Sequence, residues 1–210
     1  MTDYLTATRD GYDAIAEAYV QRYRNYLAHK PFDVAMLDVF AGLARGTVAD
    51  VGSGPGEVSA HFAARGVAVT GIDLSPRMVE LARAAFPELR FEVGSMTALP
   101  YADGSRGGLV AWYSTIHVPD TELPAVFAEF ARVLAPGAPL LLAFQVGDTA
   151  RVYTEAFGAA VSLTFIRRQP ESVAALLPPA GFALTAQLVR AADGDEPTAQ
   201  AFLVAVRADG

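Results

Sequence analysis

Residues 47–146 alternate between short β-prone runs and amphipathic segments, and this alternation restricts the possible fold more than any other feature of the sequence. The β-prone runs cover 47–51, 67–72, 89–93, 109–113 and 140–146. Segments with helical spacing of apolar residues occur between them at 58–65, 76–85 and 120–134. Strands that alternate with helices predict a mainly parallel sheet covered by helices on both faces.

The segments outside this alternation complete the predicted architecture. Helices are expected at 8–28 and 32–44, a short helix at 148–160, an extended stretch at 162–167 and a helix after Pro170. Two closing strands, 184–190 and 199–207, are joined by a short polar segment and predict an antiparallel hairpin at one end of the sheet. The predicted fold class is α/β, a three-layer Rossmann-like sandwich with a mostly parallel seven-stranded sheet and an antiparallel strand at one edge.

The composition favours a globular protein that binds a small molecule. Hydrophobic residues make up 52% of the 210 residues and charged residues 19%, which is typical of a folded domain with a sizeable core. The formal net charge is −7, and such a surface disfavours nucleic acid because it repels phosphate. The sequence has no cysteine and no apolar run of membrane-spanning length, so the default expectation is a cytoplasmic protein without a membrane partner.

Three alternating glycines follow the first predicted strand, in VADVGSGPGEVSAHF (48–62). Gly52, Gly54 and Gly56 are more than a tight turn needs, and they let a ligand approach bare backbone at the start of the next helix. Asp73 ends the second predicted strand at the same edge, where a carboxylate can accept hydrogen bonds from ribose hydroxyls. The alternative for Asp73 is an ordinary acid that precedes a helix. Together, the two features indicate a ligand that contains adenosine.

The spacing of the glycines distinguishes between two kinds of cofactor-binding motif. The dinucleotide pattern is G-x-G-x-x-G, whereas this chain has GSGPG preceded by Asp50. This arrangement resembles the first motif of the class I S-adenosylmethionine-dependent methyltransferases. GIDLSPRMVELAR is similar to their second motif, and FEVGSMTALPYADGSRGGLVAWYSTIHV to their third and fourth. YDAIAEAY is similar to small-molecule members of the ubiquinone/menaquinone-biosynthesis type, and the resemblance covers about residues 10–207.

The resemblance implies roles for the matched residues. Gly52, Ser53 and Gly54 would lie against the amino-acid part of S-adenosylmethionine, Asp50 would support the loop or the amino group, and Asp73 would hold the ribose. The other residues expected at the cofactor are Tyr12, Tyr19, Gly56, Leu74, Met78, Ser95, Met96, Trp112 and Tyr113. Ser95 departs from the family pattern, because many members have an acid there that accepts from the adenine amino group.

The resemblance also implies how the chain is organised. A single methyltransferase domain would span 1–210, with residues 1–45 as a helical lid and residues 46–210 as the cofactor-binding core. Tyr12, Tyr19 and Tyr23 lie near one face of the first predicted helix. They either pack in the core or belong to the lid that bounds the acceptor pocket.

Methyl transfer from a sulfonium is an in-line displacement that depends on alignment, and a base helps only when the acceptor must lose a proton. His117 follows the fourth predicted strand at the ligand edge and is the hypothesised general base or substrate contact. The alternative is a loop histidine that hydrogen-bonds the backbone. The expected acceptor-binding residues are Tyr23, His117, Phe144, Gln145, Arg151 and Tyr153, with Phe165 and Arg167 as further candidates. No metal is predicted.

The predicted function is transfer of a methyl group from S-adenosylmethionine to a small-molecule acceptor, with S-adenosylhomocysteine as the product. A non-catalytic S-adenosylmethionine-binding module would keep the same glycines and Asp73. A nicotinamide-dependent oxidoreductase is disfavoured, because the single Tyr-x-x-x-Lys pair, Tyr26 and Lys30, precedes the glycine loop. A methyltransferase acting on nucleic acid is disfavoured by the sequence WYST (112–115) and by the acidic charge. The acceptor atom and the oligomeric state stay open at this stage.

Overall fold

The computed structural model describes residues 3–208, which begin with two helices that precede the sheet. α1 (Tyr4–Tyr23) starts at Asp3, whose carboxylate accepts a hydrogen bond from the amide of Leu5. It ends before Asn25, which has a left-handed backbone with φ 58°. A 3₁₀ turn (Tyr26–His29) leads into α2 (Pro31–Leu43). The helix predicted over 8–28 is therefore broken at its C-terminal end, and the outermost two residues at each end of the predicted 1–210 domain lie outside the described part.

Strands and helices then alternate along the chain, as the sequence predicts. The strands are β1 (Val48–Val51), β2 (Val69–Asp73), β3 (Arg90–Val93), β4 (Gly108–Trp112) and β5 (Pro139–Gln145). The connecting helices are α3 (Glu57–Ala63), α4 (Pro76–Ala85) and α5 (Leu123–Val133), and a 3₁₀ turn (Thr115–His117) follows β4. Ser75 caps α4 by accepting a hydrogen bond from the amide of Met78, and Pro76 occupies the first helical position.

A separate two-stranded hairpin follows β5, formed by β6 (Ala150–Ala156) and β7 (Ala159–Ile166). The prediction of a helix at 148–160 is therefore wrong. Phe157 and Gly158 have φ values of 51° and 78°, and two consecutive positive φ angles form the tight turn that suits a two-residue hairpin loop. The turn reverses the chain where a helix would have continued it.

The last part of the chain closes the main sheet. It contains α6 (Pro170–Ala174), a 3₁₀ turn (Pro178–Ala180), β8 (Phe182–Arg190) and β9 (Gln200–Arg207). The strand order is β3-β2-β1-β4-β5-β9-β8, in which β1 to β5 are parallel and β9 runs antiparallel to both β5 and β8. The predicted fold class is confirmed, and the reversed strand is β9, which lies beside the edge strand β8.

Apolar side chains at alternate positions of the central strands pack against helices on opposite faces of the sheet. On β4, Leu109 and Ala111 belong to the cluster that contains Phe127 of α5, whereas Val110 belongs to the cluster that contains Phe40 of α2. The order in which successive strands are added to the sheet reverses between β1 and β4, which opens a crevice at the carboxyl ends of these parallel strands. Within residues 3–208, no helix combines the length and apolarity that a bilayer crossing requires.

Candidate functional site

A cavity of about 1140 Å³ lies at the carboxyl ends of β1, β2 and β4, with α1 and the β6–β7 hairpin as its outer walls. This volume exceeds the roughly 300–1,000 Å³ that is typical of a pocket for one small ligand. All of the predicted site residues line the cavity except Gly56, Phe144 and the further candidate Arg167. The elements that the sequence singled out are thus brought to one place.

The predicted role of Phe144 in the acceptor pocket is wrong. Its side chain is 1% exposed and packs in the core with α5, while its neighbour Gln145 lines the cavity. Adjacent strand residues face opposite sides of a sheet, so only one of the two can reach the site. Gly56 also lies off the cavity. A Cβ on Gly56 would stand 2.7 Å from Cζ of Phe91, so this glycine serves packing beneath the loop.

The other two glycines of the loop have different physical roles. Gly52 has φ 75°, and a Cβ there would stand 2.2 Å from Cβ of Ser114. Ser114 follows β4, and its hydroxyl donates a hydrogen bond to the carbonyl of Val51 at 2.6 Å. Gly52 therefore lets the ends of β1 and β4 meet. Gly54 has φ 51°, and nothing lies within 4 Å of the position its Cβ would take. The open space beside Gly54 belongs to the cavity.

Asp73 holds the glycine loop from the end of β2. Its Oδ2 accepts a hydrogen bond from the amide of Gly54 at 2.7 Å, and its Oδ1 accepts one from the amide of Ser75 at 2.8 Å. Burial raises the pKa of Asp73 to about 6, although these backbone hydrogen bonds oppose the rise. Each carboxylate oxygen keeps a further lone pair for a ligand hydroxyl.

Asp50 provides a buried acid at the end of β1. Its Oδ2 accepts a hydrogen bond from the Ser59 hydroxyl at 2.6 Å. Its Oδ1 and the hydroxyl of Ser53 are buried and have no hydrogen-bond partner among residues 3–208. Burial raises the pKa of Asp50 to about 7, and the charge of Asp73 adds to the rise. An unpaired buried carboxylate oxygen is unfavourable on its own and suits a ligand cation such as an ammonium group. The residues present therefore fit the amino-acid end of S-adenosylmethionine.

The predicted adenine-side residues line the cavity beyond Asp73. Met78 is 1% exposed, and its amide donates to the hydroxyl of Ser75. Ser95 shares a hydrogen bond of 2.8 Å with the hydroxyl of Thr97 and also accepts from the Thr97 amide. The Ser95 hydroxyl is thus hydrogen-bonded within its own turn.

Trp112 and Tyr113 end β4 at the floor of the cavity. Tyr113 has φ 54°, which is rare for a residue with a large side chain and is typical of functional positions. The Trp112 ring packs 5.3 Å from the ring of Phe202, between centroids. The Trp112 Nε1 and the Tyr113 hydroxyl are both buried without a hydrogen-bond partner within residues 3–208.

His117 is joined to two distant elements. Its Nδ1 lies 2.9 Å from the backbone carbonyl of Thr164 on β7, and its Nε2 lies 2.9 Å from the hydroxyl of Tyr12 on α1. A carbonyl only accepts, so Nδ1 carries the proton. Burial lowers the pKa of His117 to about 4, so the ring is neutral at pH 7 and Nε2 accepts a hydrogen bond from Tyr12. The alternative interpretation, a loop histidine that hydrogen-bonds the backbone, accounts for the contact of Nδ1 but not for that of Nε2.

The turn that carries His117 is fixed by Arg168, a residue that the sequence did not indicate. The guanidinium is buried and donates to the carbonyls of Thr115 and Val118, which flank His117, and to the carboxylate of Asp120. Thr164 of β7 accepts the hydrogen bond from Nδ1 of His117, and Arg168 follows the same strand. The hairpin thus positions both residues that hold His117. The two contacts fix both the ring and its backbone.

Aromatic side chains from α1 and the hairpin line the outer part of the cavity. Tyr12 and Tyr19 pack edge to face with centroids 5.7 Å apart, and Tyr19 lies 4.5 Å from Tyr23. On the other side, the ring of Phe165 lies 4.8 Å from His117 and 5.1 Å from Tyr153. The guanidinium of Arg151 covers the ring of Tyr153 at 4.8 Å. Arg167, the remaining candidate, does not line the cavity.

Contacts of α1 that sequence reasoning missed hold this helix over the site. Asp13 accepts hydrogen bonds from the hydroxyl of Ser75 and the amide of Arg77, at the start of α4. Gly11 faces β7, where a Cβ would stand 2.7 Å from Cδ2 of Leu163. Arg22 pairs with Asp195 in the loop between β8 and β9. Asp13, Ser75 and Arg77 lie within segments that resemble family motifs, but the sequence did not indicate that they contact one another; Gly11 gave a signal, because a glycine inside a helix often marks close packing.

No cluster of three or more potential metal-ligating side chains occurs within residues 3–208. The side chains that line the cavity include hydrogen-bonding, aromatic and charged groups. A glycine loop at the switch point, a carboxylate at the end of β2 and an unpartnered acid at the end of β1 define a Rossmann-like nucleoside-binding domain.

The comparison with known families identifies this domain. Residues 48–137 match the family described as "Methyltransferase domain". An uncharacterized methyltransferase of a Mycobacterium strain is 38% identical over 100 residues, which cover 48% of this chain and 39% of the relative. The methyltransferase GfsG of Streptomyces halstedii is 35% identical over 184 residues, which cover 80% of this chain and 63% of the relative. The chain thus spans about two fifths of the length of the first relative and under two thirds of the second.

A solved structure shares the fold over nearly the whole chain. The 1,6-didemethyltoxoflavin-N1-methyltransferase of Burkholderia thailandensis, solved with 1,6-didemethyltoxoflavin and S-adenosylhomocysteine, superposes with a TM-score of 0.78 at 19% identity. The superposition covers 98% of this chain and 89% of that one. These comparisons show a methyltransferase domain over residues 48–137, and the Rossmann-like fold that the resemblance implied is confirmed.

Proposed function

We propose that this protein transfers a methyl group from S-adenosylmethionine to a small-molecule acceptor held between α1 and the β6–β7 hairpin. The observation that carries the proposal is the buried Oδ1 of Asp50, which no group in the described part of the chain satisfies; Asp50 lines the same cavity as Gly54 and Asp73. The methionyl ammonium would satisfy this oxygen, and the ribose would bond to Asp73.

The volume and lining of the cavity support two occupants. The cofactor would extend along Gly52, Asp73 and Met78, which lie on one side. The aromatic side chains of α1 and the hairpin remain for the acceptor, on the side of His117. Such a lining suits an acceptor with an aromatic or apolar body and few polar groups.

The chain's own part in the reaction is alignment. The donor supplies a methyl group already activated on a sulfonium, so rigid placement of the acceptor can contribute roughly 7–11 kcal/mol to lowering the barrier. His117 is the residue proposed to contact the reacting group of the acceptor. Residues 1–45 are proposed to act as a lid, since α1 contacts α4 through Asp13 and β7 through Gly11.

Calorimetry with S-adenosylhomocysteine and with NADH tests the cofactor. Binding of the first alone is expected, because no dinucleotide spacing of glycines is present. No binding of S-adenosylhomocysteine would overturn the proposal. Release of S-adenosylhomocysteine in the presence of a library of small acceptors then tests transfer. Binding without release from any acceptor would favour the alternative of a non-catalytic binding module.

A further inference from the structure

The hydrogen bond between Tyr12 and His117 has a defined direction. The Thr164 carbonyl accepts a hydrogen bond from Nδ1, which therefore carries the ring proton. Nε2 then has a free lone pair, and the Tyr12 hydroxyl donates a hydrogen bond to it. The oxygen of Tyr12 therefore has its lone pairs free, and Tyr12 lines the cavity. No other hydrogen bond to this oxygen is found within residues 3–208.

We propose that Tyr12 is a catalytic residue that accepts a proton from the acceptor and relays its own to His117, so that the acceptor is a proton-bearing oxygen or nitrogen nucleophile. The inference rests on the proposed function. A tyrosine that only needed a partner could bond to any carbonyl, whereas here the partner is a basic nitrogen whose tautomer a third group fixes. That arrangement of three groups is the usual way in which proteins activate a hydroxyl.

The proposed step balances in atoms and charge. The acceptor atom forms a bond to the methyl carbon while the carbon–sulfur bond breaks and its electron pair stays on sulfur. The acceptor's proton passes to the Tyr12 oxygen, and the Tyr12 proton passes to Nε2 of His117. One positive charge is lost at sulfur and one appears on the imidazole, so the buried cavity carries the same charge before and after transfer. A bound sulfonium would hold His117 neutral until transfer begins.

The first experiment needs no acceptor. In ¹⁵N NMR spectra of the complex with S-adenosylhomocysteine at pH 7, His117 is expected as the neutral ring with the proton on Nδ1. The Nε2 resonance is expected to shift in Tyr12→Phe, because the donated hydrogen bond is lost. A protonated Nε2, or a resonance that Tyr12→Phe leaves unchanged, would contradict the relay.

The second experiment compares variants in binding and in turnover. Tyr12→Phe removes the relay oxygen, and His117→Gln keeps a hydrogen-bond acceptor but cannot take up a proton. Both are expected to bind S-adenosylhomocysteine within about twofold of the wild type. Their kcat is expected to fall by about 10²- to 10⁴-fold, with a smaller change in KM. Tyr101→Phe and His61→Gln are matched controls outside the cavity and should keep the wild-type kcat.

The probes for turnover are phenols, aliphatic alcohols and primary amines, set against thiols and 1,3-dicarbonyl compounds, which ionise more readily without help. Turnover is expected with the first group. Turnover confined to the second group, or a wild-type kcat in Tyr12→Phe, would each overturn the inference. Failure to bind S-adenosylhomocysteine, or binding without turnover of any acceptor, would instead mark the failure of the proposed function.

Discussion

The carboxylate of Asp73 accepts a hydrogen bond of 2.7 Å from the amide of Gly54, nineteen positions earlier in the chain. This contact connects the end of β2 to the glycine loop after β1 and holds the loop without help from a ligand. The same carboxylate accepts from the amide of Ser75. A site whose loop is already in place loses less conformational freedom on binding.

Asp73→Asn is expected to weaken binding of S-adenosylhomocysteine by about 10- to 100-fold. Hydrogen bonds to a charged group contribute about 1.5–3 kcal/mol, and the amide removes both the charge and one acceptor. Calorimetry measures the change. Asp148→Asn, at an exposed acid that bonds to Gln169 away from the cavity, is the control and should bind as the wild type does. Equal affinity in the two variants would exclude a role for Asp73 in binding.

Alanine substitutions of Gly52 and Gly54 are expected to differ in their effects on stability and on ligand binding. Gly52→Ala is expected to lower the free energy of unfolding by more than the roughly 1–2 kcal/mol of a left-handed alanine, because its Cβ meets Ser114. Gly54→Ala has no such clash, so its stability should fall only by that amount while it loses affinity for S-adenosylhomocysteine. Denaturant unfolding and calorimetry measure the two effects.

Gly66→Ala is the matched control for this pair. Gly66 also has a positive φ of 77° and nothing within 4 Å of its Cβ position, but it lies outside the cavity. Its variant should lose stability as Gly54→Ala does and bind normally. If Gly54→Ala also binds normally, the bare backbone of the loop is not where the ligand lies.

Binding of S-adenosylhomocysteine should strengthen as the pH rises from about 5.5 towards 8. The pKa of Asp50 is raised to about 7 and that of Asp73 to about 6, so both are partly protonated at the lower end of this range. A ligand ammonium pairs with the ionised form, so binding below pH 7 should release protons. Calorimetry in buffers of different ionisation enthalpy counts these protons. Asp50→Asn should reduce the pH dependence to the part that Asp73 contributes, and a slope equal to that of the wild type would assign the pH dependence to other groups.

Arg168→Met is expected to lower the free energy of unfolding by about 1–3 kcal/mol. It leaves the carbonyl of Val118 without the donor it has in the structure, and an unsatisfied buried group costs about that much; the carbonyl of Thr115 keeps its hydrogen bond from the Val118 amide. Denaturant unfolding measures the loss. Arg167→Met is the neighbouring control, because within residues 3–208 Arg167 makes no hydrogen bond to this turn. A loss of equal size in both variants would indicate a general effect of the strand end.

The sequence predicted the parts of the site that depend on the local sequence around the ends of the strands. The glycine loop and Asp73 follow directly from strand ends, so their positions were fixed once the strands were recognised. Phe144 was misassigned because a shift of one residue in a strand moves a side chain to the opposite face. The contact between Tyr12 and His117 spans 105 positions and depends on the β6–β7 hairpin, whose turn places an aromatic residue, Phe157, at a positive φ. The conformational preference of phenylalanine does not predict a turn with this residue at a positive φ.

The β6–β7 hairpin lies beyond the stretch that matches the family, which ends at residue 137. Under the proposed function, this hairpin would bound the acceptor, whereas the glycine loop and Asp73, inside the matched stretch, would hold the donor. Substitutions in residues 150–166 would then change which acceptor is accepted while the donor stays the same.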